Sequence, residues 1–172
     1  MQISYCRQWS RHWKYPNHVL SESEARRLHG RGKLYTVLVG DPLRPECFLE
    51  FTAFRSVSVE FLNSALCTYF DYGFQEKRPG ELFLSMSSRP EFDFDNNAPN
   101  RATVLYFKTD GRLTTVRYVS NPSGVGSKIV GEEHEIVDVT HNWEPFPEFG
   151  HYEGIARLDR GTPLLRPAFA PR

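Results

Sequence analysis

Short runs in which apolar and polar residues alternate dominate this chain. The runs are rich in Val, Ile, Leu, Thr, Phe and Tyr and are mostly bounded by Gly, Pro, Asn or Asp, which is typical of β-strands. The predicted strands are Ile3–Trp9, Leu34–Val39, Cys47–Phe54, Glu81–Met86, Thr103–Phe107, Leu113–Val119 and Glu135–Val139. Between two of them Asp110-Gly111 predicts a tight hairpin turn, because glycine readily adopts the positive φ that such a turn requires.

Two helices are predicted between the strands. Ser21 and Glu24 have the spacing of a capping box, and Gly30 stands where a glycine commonly ends a helix, so this helix is short. A longer helix is predicted from Val57 to Asp71, because apolar residues recur there with a period close to 3.6. These residues are Val59, Leu62, Leu66, Tyr69 and Phe70. The pattern therefore predicts an α+β fold, with a mostly antiparallel sheet, the longer helix packed on one face and the short N-terminal helix.

Composition narrows the classes of protein to consider. With 172 residues, 40% of them hydrophobic, the chain suits a single domain over residues 1–172. Its formal net charge is zero, which disfavours a dedicated nucleic-acid binder. Charges and tryptophans stand where a signal peptide would need an apolar stretch, and eighteen apolar residues never run together, so we expect no membrane contact and a cytoplasmic location. The cysteines are scattered along the chain, so we expect them to be small buried apolar residues rather than partners in disulfides or ligands of a zinc site. They are Cys6, Cys47 and Cys67.

Motifs for catalysis or cofactor binding are weak. His134, His141 and His151 lack the spacing that would place two metal ligands on one helix face. The loop from Gly124 to Lys128 lacks the first glycine of a phosphate-binding loop. Nucleophile, base and orienting group do not occur in a recognisable pattern. We therefore expect no cofactor, no metal and no enzymatic activity.

Charge is unevenly distributed along the chain, and this yields a candidate binding site. Gly131 to Glu153 holds seven acids and no Lys or Arg, interleaved with aromatic rings. Proline stiffens this segment, and rigid aromatic anchors beside charges are typical of protein interfaces. The competing interpretation is that Phe146 and Phe149 pack into the core and the acids only solubilise the edge. The predicted partner-binding residues are Asp93, Asp95, Trp143, Glu144, Phe146, Glu148, Phe149 and Tyr152.

The order of these elements resembles a family, the small immunity proteins of bacterial polymorphic toxin systems, and within it the mostly-β group often encoded beside deaminase toxins. The resemblance rests on the helix from Val57 to Asp71, the strands ELFLSM, ATVLYF and LTTVRYV, the Asp110-Gly111 turn and the acidic region after them. It covers about half of the chain. The C-terminal helix and turn usual in the family are not evident in IARLDRGTPLLR, from Ile155 to Arg166.

The resemblance implies a protein that binds its cognate toxin and occludes the toxin's active site or substrate groove. A toxin that acts on nucleic acid presents a basic groove, which acidic loops would complement. The partner is then the toxin domain, and direct nucleic-acid binding is not expected. Two alternatives stay open: an unrecognised small enzyme or ligand-binding α+β domain, and an RNA-associated factor.

Overall fold

The computed structural model describes residues 2–53, 55–92, 99–121 and 126–160, in which eleven strands form one antiparallel sheet. The strands are β1 (Ile3–Ser10), β2 (Tyr15–Leu20), β3 (Tyr35–Asp41), β4 (Arg44–Phe51), β5 (Ser56–Leu62), β6 (Thr68–Arg78), β7 (Glu81–Phe92), β8 (Pro99–Phe107), β9 (Arg112–Ser120), β10 (Ser127–Ile136) and β11 (Trp143–Pro145). Helix α1 (Glu22–Gly30) follows β2, and one 3-10 turn (Thr140–Asn142) precedes β11. No helix in these ranges has the length and apolar character needed to cross a membrane.

Strands that follow one another in the chain are mostly neighbours in the sheet. The order is β10-β9-β8-β7-β6-β5-β4-β3-β1-β2, so the one departure from sequence order is β1, which lies between β2 and β3. Strand β11 pairs with the start of β7, where Trp143 lies opposite Phe83. This pairing fixes the C-terminal segment, residues 137–160, across the sheet; we call it the strap.

The two faces of the sheet differ in how they are covered. Helix α1 and the strap lie over one face, the covered face, and bury the main core between them and the sheet. On the other, the open face, the buried apolar residues that the structure describes form a small cluster near the N-terminal strands. That cluster consists of Cys6, Trp9, Leu38, Phe48 and Leu62.

The predicted α+β fold class is wrong, because no helix spans Val57 to Asp71. That stretch forms β5, a turn and the beginning of β6. The fold is a mostly antiparallel β-sheet with a single short helix in the described residues. The resemblance drawn from the sequence counted this helix among its elements, and that part of the match is lost.

The reason for the error lies in two competing periods. Along β5 burial alternates residue by residue, which is the period of a strand, and β-branched residues favour extended backbone. Leu66 then has φ 57, a left-handed conformation incompatible with a continuing helix. The side chain of Asn63 fixes this turn by accepting the backbone N–H groups of Ala65 at 2.9 Å and Cys67 at 3.0 Å. The strand preference of β5 and the turn at Asn63 therefore outweigh the 3.6-residue spacing of apolar residues that predicted a helix.

Other local predictions are confirmed. Helix α1 begins at the predicted capping box, with the Ser21 hydroxyl accepting the Glu24 N–H and the Glu24 carboxylate accepting the Ser21 N–H. The β8–β9 hairpin turns at Gly111, which has φ 87, and Gly111 N–H donates to the Lys108 carbonyl at 3.0 Å. A Cβ on Gly111 would also lie 2.9 Å from the Val137 carbonyl oxygen, so the turn packs against the first residue of the strap.

The two outermost strands are protected in different ways. Strand β2 contains Pro16, which has no N–H to donate, and His18, whose φ of 53 breaks the extended backbone. Strand β10 is exposed along almost its whole length and has a bulge between Ile129 and Gly131. It carries three glutamates, and the strand predicted over Glu135–Val139 overlaps it only at Glu135 and Ile136.

Candidate functional site: an acidic groove on the open face

A row of residues crosses the open face at the centre of the sheet. Phe48 on β4 lies opposite Glu60 on β5, Glu60 lies opposite Asp71 on β6, and Asp71 lies opposite Ser88 on β7. Residues directly opposite each other in an antiparallel pair project to the same side, so the two carboxylates are cross-strand neighbours. Like charges in this position destabilise a sheet, and the arrangement needs compensation from elsewhere.

Arg11 supplies part of that compensation from the turn between β1 and β2. Its Nε donates to both carboxylate oxygens of Glu60 at 3.1 Å, and its Nη2 donates to Glu50 Oε2 at 2.7 Å. The guanidinium carbon lies 5.1 Å from the centre of the Phe48 ring. Arg11 is thus held by two acids and one aromatic face, which is the fork geometry that arginine favours.

The turn that presents Arg11 is itself anchored. The Ser10 hydroxyl accepts the Trp13 N–H at 3.1 Å, and Lys14 adopts φ 55 at the end of the turn. The Lys14 ammonium donates to the Ala65 carbonyl at 2.8 Å. The β1–β2 turn is therefore tied to the β5–β6 turn, and this contact positions Arg11 over the row.

Asp71 receives less support than the other two acids. The Ser88 hydroxyl donates to Asp71 Oδ2 at 2.5 Å, and no Lys or Arg of the described residues forms an ion pair with this carboxylate. Burial raises the pKa of Asp71 to about 6; the hydrogen bond from Ser88 opposes the shift and the charge of Glu60 adds to it. Glu50 and Glu60 therefore share one guanidinium, whereas Asp71 has no cationic partner among the described residues.

A groove of about 620 Å³ is lined by Arg11, Glu60, Asp71 and Ser88. Its apolar walls come from Trp9, Leu66, Met86 and Pro90. Gly73 on β6 lies opposite Met86, and a Cβ at this position would approach the Met86 side chain to 3.4 Å. We call this groove, with Glu60, Asp71 and Arg11 in its lining, the acidic groove; Glu50 is linked to it through Arg11.

Beyond Met86 the open face continues as an aromatic surface. Tyr106 on β8 lies opposite Met86, and its hydroxyl lies 3.4 Å from the hydroxyl of Tyr118 on β9. Tyr106 is exposed, and its pKa is raised to about 12 by the hydrogen bond to Tyr118. The open face thus places rings beside acids, as protein interfaces often do.

The four rings predicted to bind a partner lie on the strap, and their inner faces pack against the core. Tyr152 is 0% exposed, and its hydroxyl lies 3.3 Å from that of Tyr35. Trp143, Phe146 and Phe149 are half-buried.

Arginines cover the outer faces of the three half-buried rings. The guanidinium carbons of Arg78, Arg55 and Arg26 lie 4.3 Å, 4.7 Å and 4.4 Å from the ring centres of Trp143, Phe146 and Phe149, respectively. Each of these rings therefore lies between an arginine and the core. The competing interpretation of the sequence, in which the rings pack inward, describes their position.

The acids predicted with these rings are in three different situations. Glu144 is mostly buried and pairs with Arg157 at 3.0 Å and with Arg160 at 2.7 Å, so it anchors the end of the strap. Glu148 is exposed. Asp93 and Asp95 lie outside the described residues, as do the first two residues of the Gly124–Lys128 loop.

Sequence reasoning missed the acidic groove because its residues are far apart in the chain and most were assigned to the wrong element. Glu60 and Asp71 fall inside the stretch predicted as a helix, where they would not be neighbours. The signal that could have found them is the alternation in β5, which puts Ser58 and Glu60 together on one polar side. Arg11 carried no such signal, because its position depends on the β1–β2 turn.

Comparison with known proteins adds no assignment: no family model, curated protein or solved structure matches this chain.

Proposed function

We propose that this chain is an immunity protein, a binding protein rather than an enzyme, that neutralises a cognate bacterial toxin by occluding the toxin's active site or substrate groove. We place the contact on the open face, at the acidic groove and the tyrosines beside it. The observation that carries the proposal is the cross-strand pair Glu60 and Asp71 beside a groove wide enough to receive side chains. An arrangement that opposes folding is expected at functional sites, where binding takes precedence over stability.

The charges of the acidic groove support a basic partner. A lysine or arginine entering the groove would give Asp71 the cationic partner that it lacks among the described residues. Arg11 is an internal example, since a guanidinium already lies between Glu50 and Glu60 on this face. A toxin that acts on nucleic acid has a basic groove for the phosphate backbone, and an acidic surface would compete for those cations.

The neighbouring tyrosines would provide the contact area that charge alone does not. Charge complementarity mainly speeds encounter and excludes wrong partners, whereas buried rings account for much of the binding energy. Tyr106 and Tyr118 lie on the strands next to the groove, so one flat partner surface could cover both. The strands of the family resemblance over Glu81–Met86, Ala102–Phe107 and Leu113–Val119 lie in β7, β8 and β9, which form this part of the open face.

The decisive experiment is coexpression with the toxin domain encoded beside the gene, followed by growth rescue and measurement of the dissociation constant. Asp71→Asn keeps the shape of the side chain and removes its charge, and we expect it to weaken the complex about tenfold or more. Glu148→Gln is the matched control, because it removes an exposed charge from the strap. We expect this variant to bind within about twofold of the parent, as rim charges contribute little.

Each outcome of this experiment has a distinct meaning. Loss of binding in Asp71→Asn alone supports the acidic groove. Loss in Glu148→Gln alone moves the contact to the strap and overturns the groove assignment. Absence of both rescue and complex formation with the parent chain overturns the proposed function.

A further inference from the structure

A second cavity lies on the covered face, at the C-terminal end of helix α1. It measures about 250 Å³ and lies between the end of α1, the beginning of β3, the β4–β5 turn and the strap. Aromatic rings form its walls, and three nitrogen-bearing side chains converge on it. The rings are those of Tyr35, Phe51 and Phe146, and the nitrogen-bearing side chains are His29, Lys33 and Arg55.

His29 is held in a fixed orientation within this cavity. Its Nδ1 lies 2.8 Å from the Tyr35 hydroxyl, which in turn lies 3.3 Å from the Tyr152 hydroxyl. The Phe51 and Phe146 ring centres lie 5.6 Å and 5.9 Å from that of the imidazole. With Nδ1 engaged by a hydroxyl, Nε2 is the ring nitrogen that can meet a ligand.

The charge lining this cavity is positive. Lys33 and Arg55 contribute two cations, and no carboxylate is among its described lining residues. Arg55 is oriented by an ion pair of its Nε with Glu76 at 2.7 Å and by its contact with the Phe146 ring. Burial lowers the pKa of His29, and the charges of Arg55 and Arg26 lower it further. An anion bound here would relieve that repulsion.

We infer that this cavity binds a small aromatic carboxylate. The volume suits a single ring, since pockets for larger ligands measure about 300–1,000 Å³. Tyr35 and Phe51 already stack on each other, with ring centres 4.8 Å apart, so a ligand ring would lie edge-on against this pair. Its carboxylate would face Lys33 and Arg55. His29 Nε2 would then lie within reach of the carboxylate or of a ring substituent. The site goes beyond toxin binding, because it lies on the opposite face of the sheet from the acidic groove.

Benzoate is the probe for this inference. We expect saturable shifts of the His29 imidazole resonances when benzoate is titrated into the full chain and followed by NMR. Bound benzoate should also raise the pKa of His29, because a nearby anion favours the imidazolium. The other titratable or charged groups around His29 are Arg26 on α1, Lys33, Tyr35 on β3, Arg55 with its partner Glu76, and Tyr152 on the strap.

Three comparisons make the test specific. Lys33→Ala changes an exposed side chain and should weaken benzoate binding about fivefold or more, whereas Arg31→Ala, on the next turn and outside the cavity lining, should leave it within twofold. Benzamide, a neutral probe of the same shape, should bind more weakly than benzoate. Unsaturable shifts, equal affinities of Lys33→Ala and the parent, or equal affinities for benzoate and benzamide would each overturn the inference. Failure of the benzoate test leaves the toxin-binding proposal unaffected, because the toxin-binding experiment tests the open face and the benzoate experiment tests the covered face.

Discussion

The covered and open faces are built by the same strands, yet they serve opposite purposes. In β5, Val57, Val59 and Phe61 enter the main core, while Ser58 and Glu60 between them face the acidic groove. One side of the strand is apolar and closed by α1 and the strap; the other holds acids that repel one another. The comparison shows that one strand can stabilise the fold on one face and carry an arrangement of like charges that opposes folding on the other.

The largest expected effect tests the covered face. Tyr152→Ala removes a fully buried ring and its hydroxyl contact with Tyr35, and we expect a loss of about 4 kcal/mol in the free energy of unfolding. Urea denaturation followed by tryptophan fluorescence measures it. Glu148→Ala, on the same strap but exposed, should change stability by less than about 0.5 kcal/mol. Equal effects of the two variants would show that the strap does not close the core.

The next effect tests the compensation on the open face. Arg11→Ala leaves Glu50 and Glu60 without their shared guanidinium, and we expect a loss of about 2 kcal/mol in the same unfolding experiment. Because Arg11 is half-exposed, this figure is smaller than that for a fully buried pair. Adding Glu60→Gln to Arg11→Ala should restore part of the loss. No restoration would mean that repulsion among the acids is not the cause.

Asp71 should give the opposite sign. Its folded-state pKa of about 6 lies above the ordinary value of 3.8, so the folded state holds its proton more tightly and stability falls as pH rises from about 4 to 6. Asp71→Asn should therefore stabilise the protein by about 1–2 kcal/mol at pH 8 and change little at pH 4. Thermal unfolding at both pH values measures this. A destabilised variant at pH 8 would contradict the assigned burial of this charge.

This variant also separates folding from binding. Asp71→Asn is expected to be more stable than the parent at pH 8 and yet to bind the toxin less tightly. A loss of affinity with a gain of stability cannot be explained by unfolding. The pairing of these two readouts is the sharpest test of whether the open face exists for a partner.

The smallest effect concerns the turn that produced the wrong helix. Asn63→Ala removes the side-chain oxygen that accepts the Ala65 and Cys67 N–H groups, and we expect a loss of about 1 kcal/mol. Asn63→Asp keeps an acceptor there and serves as the control, with stability close to that of the parent. Chemical denaturation of the three proteins checks the order. Equal losses in both variants would show that the turn does not depend on this acceptor.

Local chemistry made some elements predictable and others not. The capping box at Ser21 and the Asp110-Gly111 turn depend on residues a few positions apart, and both predictions are confirmed. Apolar residues from Val59 to Phe70 fit a helix and a strand pair about equally well, because a short turn shifts the alternation. No residue near Leu66 in the sequence indicates that Leu66 takes a left-handed conformation. The choice between the two structures is made by pairing with β4 and β7, which sequence spacing does not reveal.

The site was less predictable than the fold. Acid-rich and ring-rich segments are visible in the sequence, and they pointed to the strap, where the rings turn inward under arginines from α1, the β4–β5 turn and β6. The acidic groove instead collects residues from four distant parts of the chain. Glu60 and Asp71 are unremarkable in sequence and meet only because two adjacent strands align them, and Glu50 is linked to Glu60 through Arg11.

The unequal outer strands have a consequence for self-association. A sheet that never closes on itself has two free borders, and each could recruit further chains into a growing ribbon. At the edge strand β2, Pro16 and the left-handed His18 interrupt the regular hydrogen-bond ladder that such growth requires. At the edge strand β10, identical charges would face each other if two copies aligned. These charges are those of Glu132, Glu133 and Glu135. Backbone geometry at β2 and negative charge at β10 thus oppose fibre growth at the two edges of the sheet by different means.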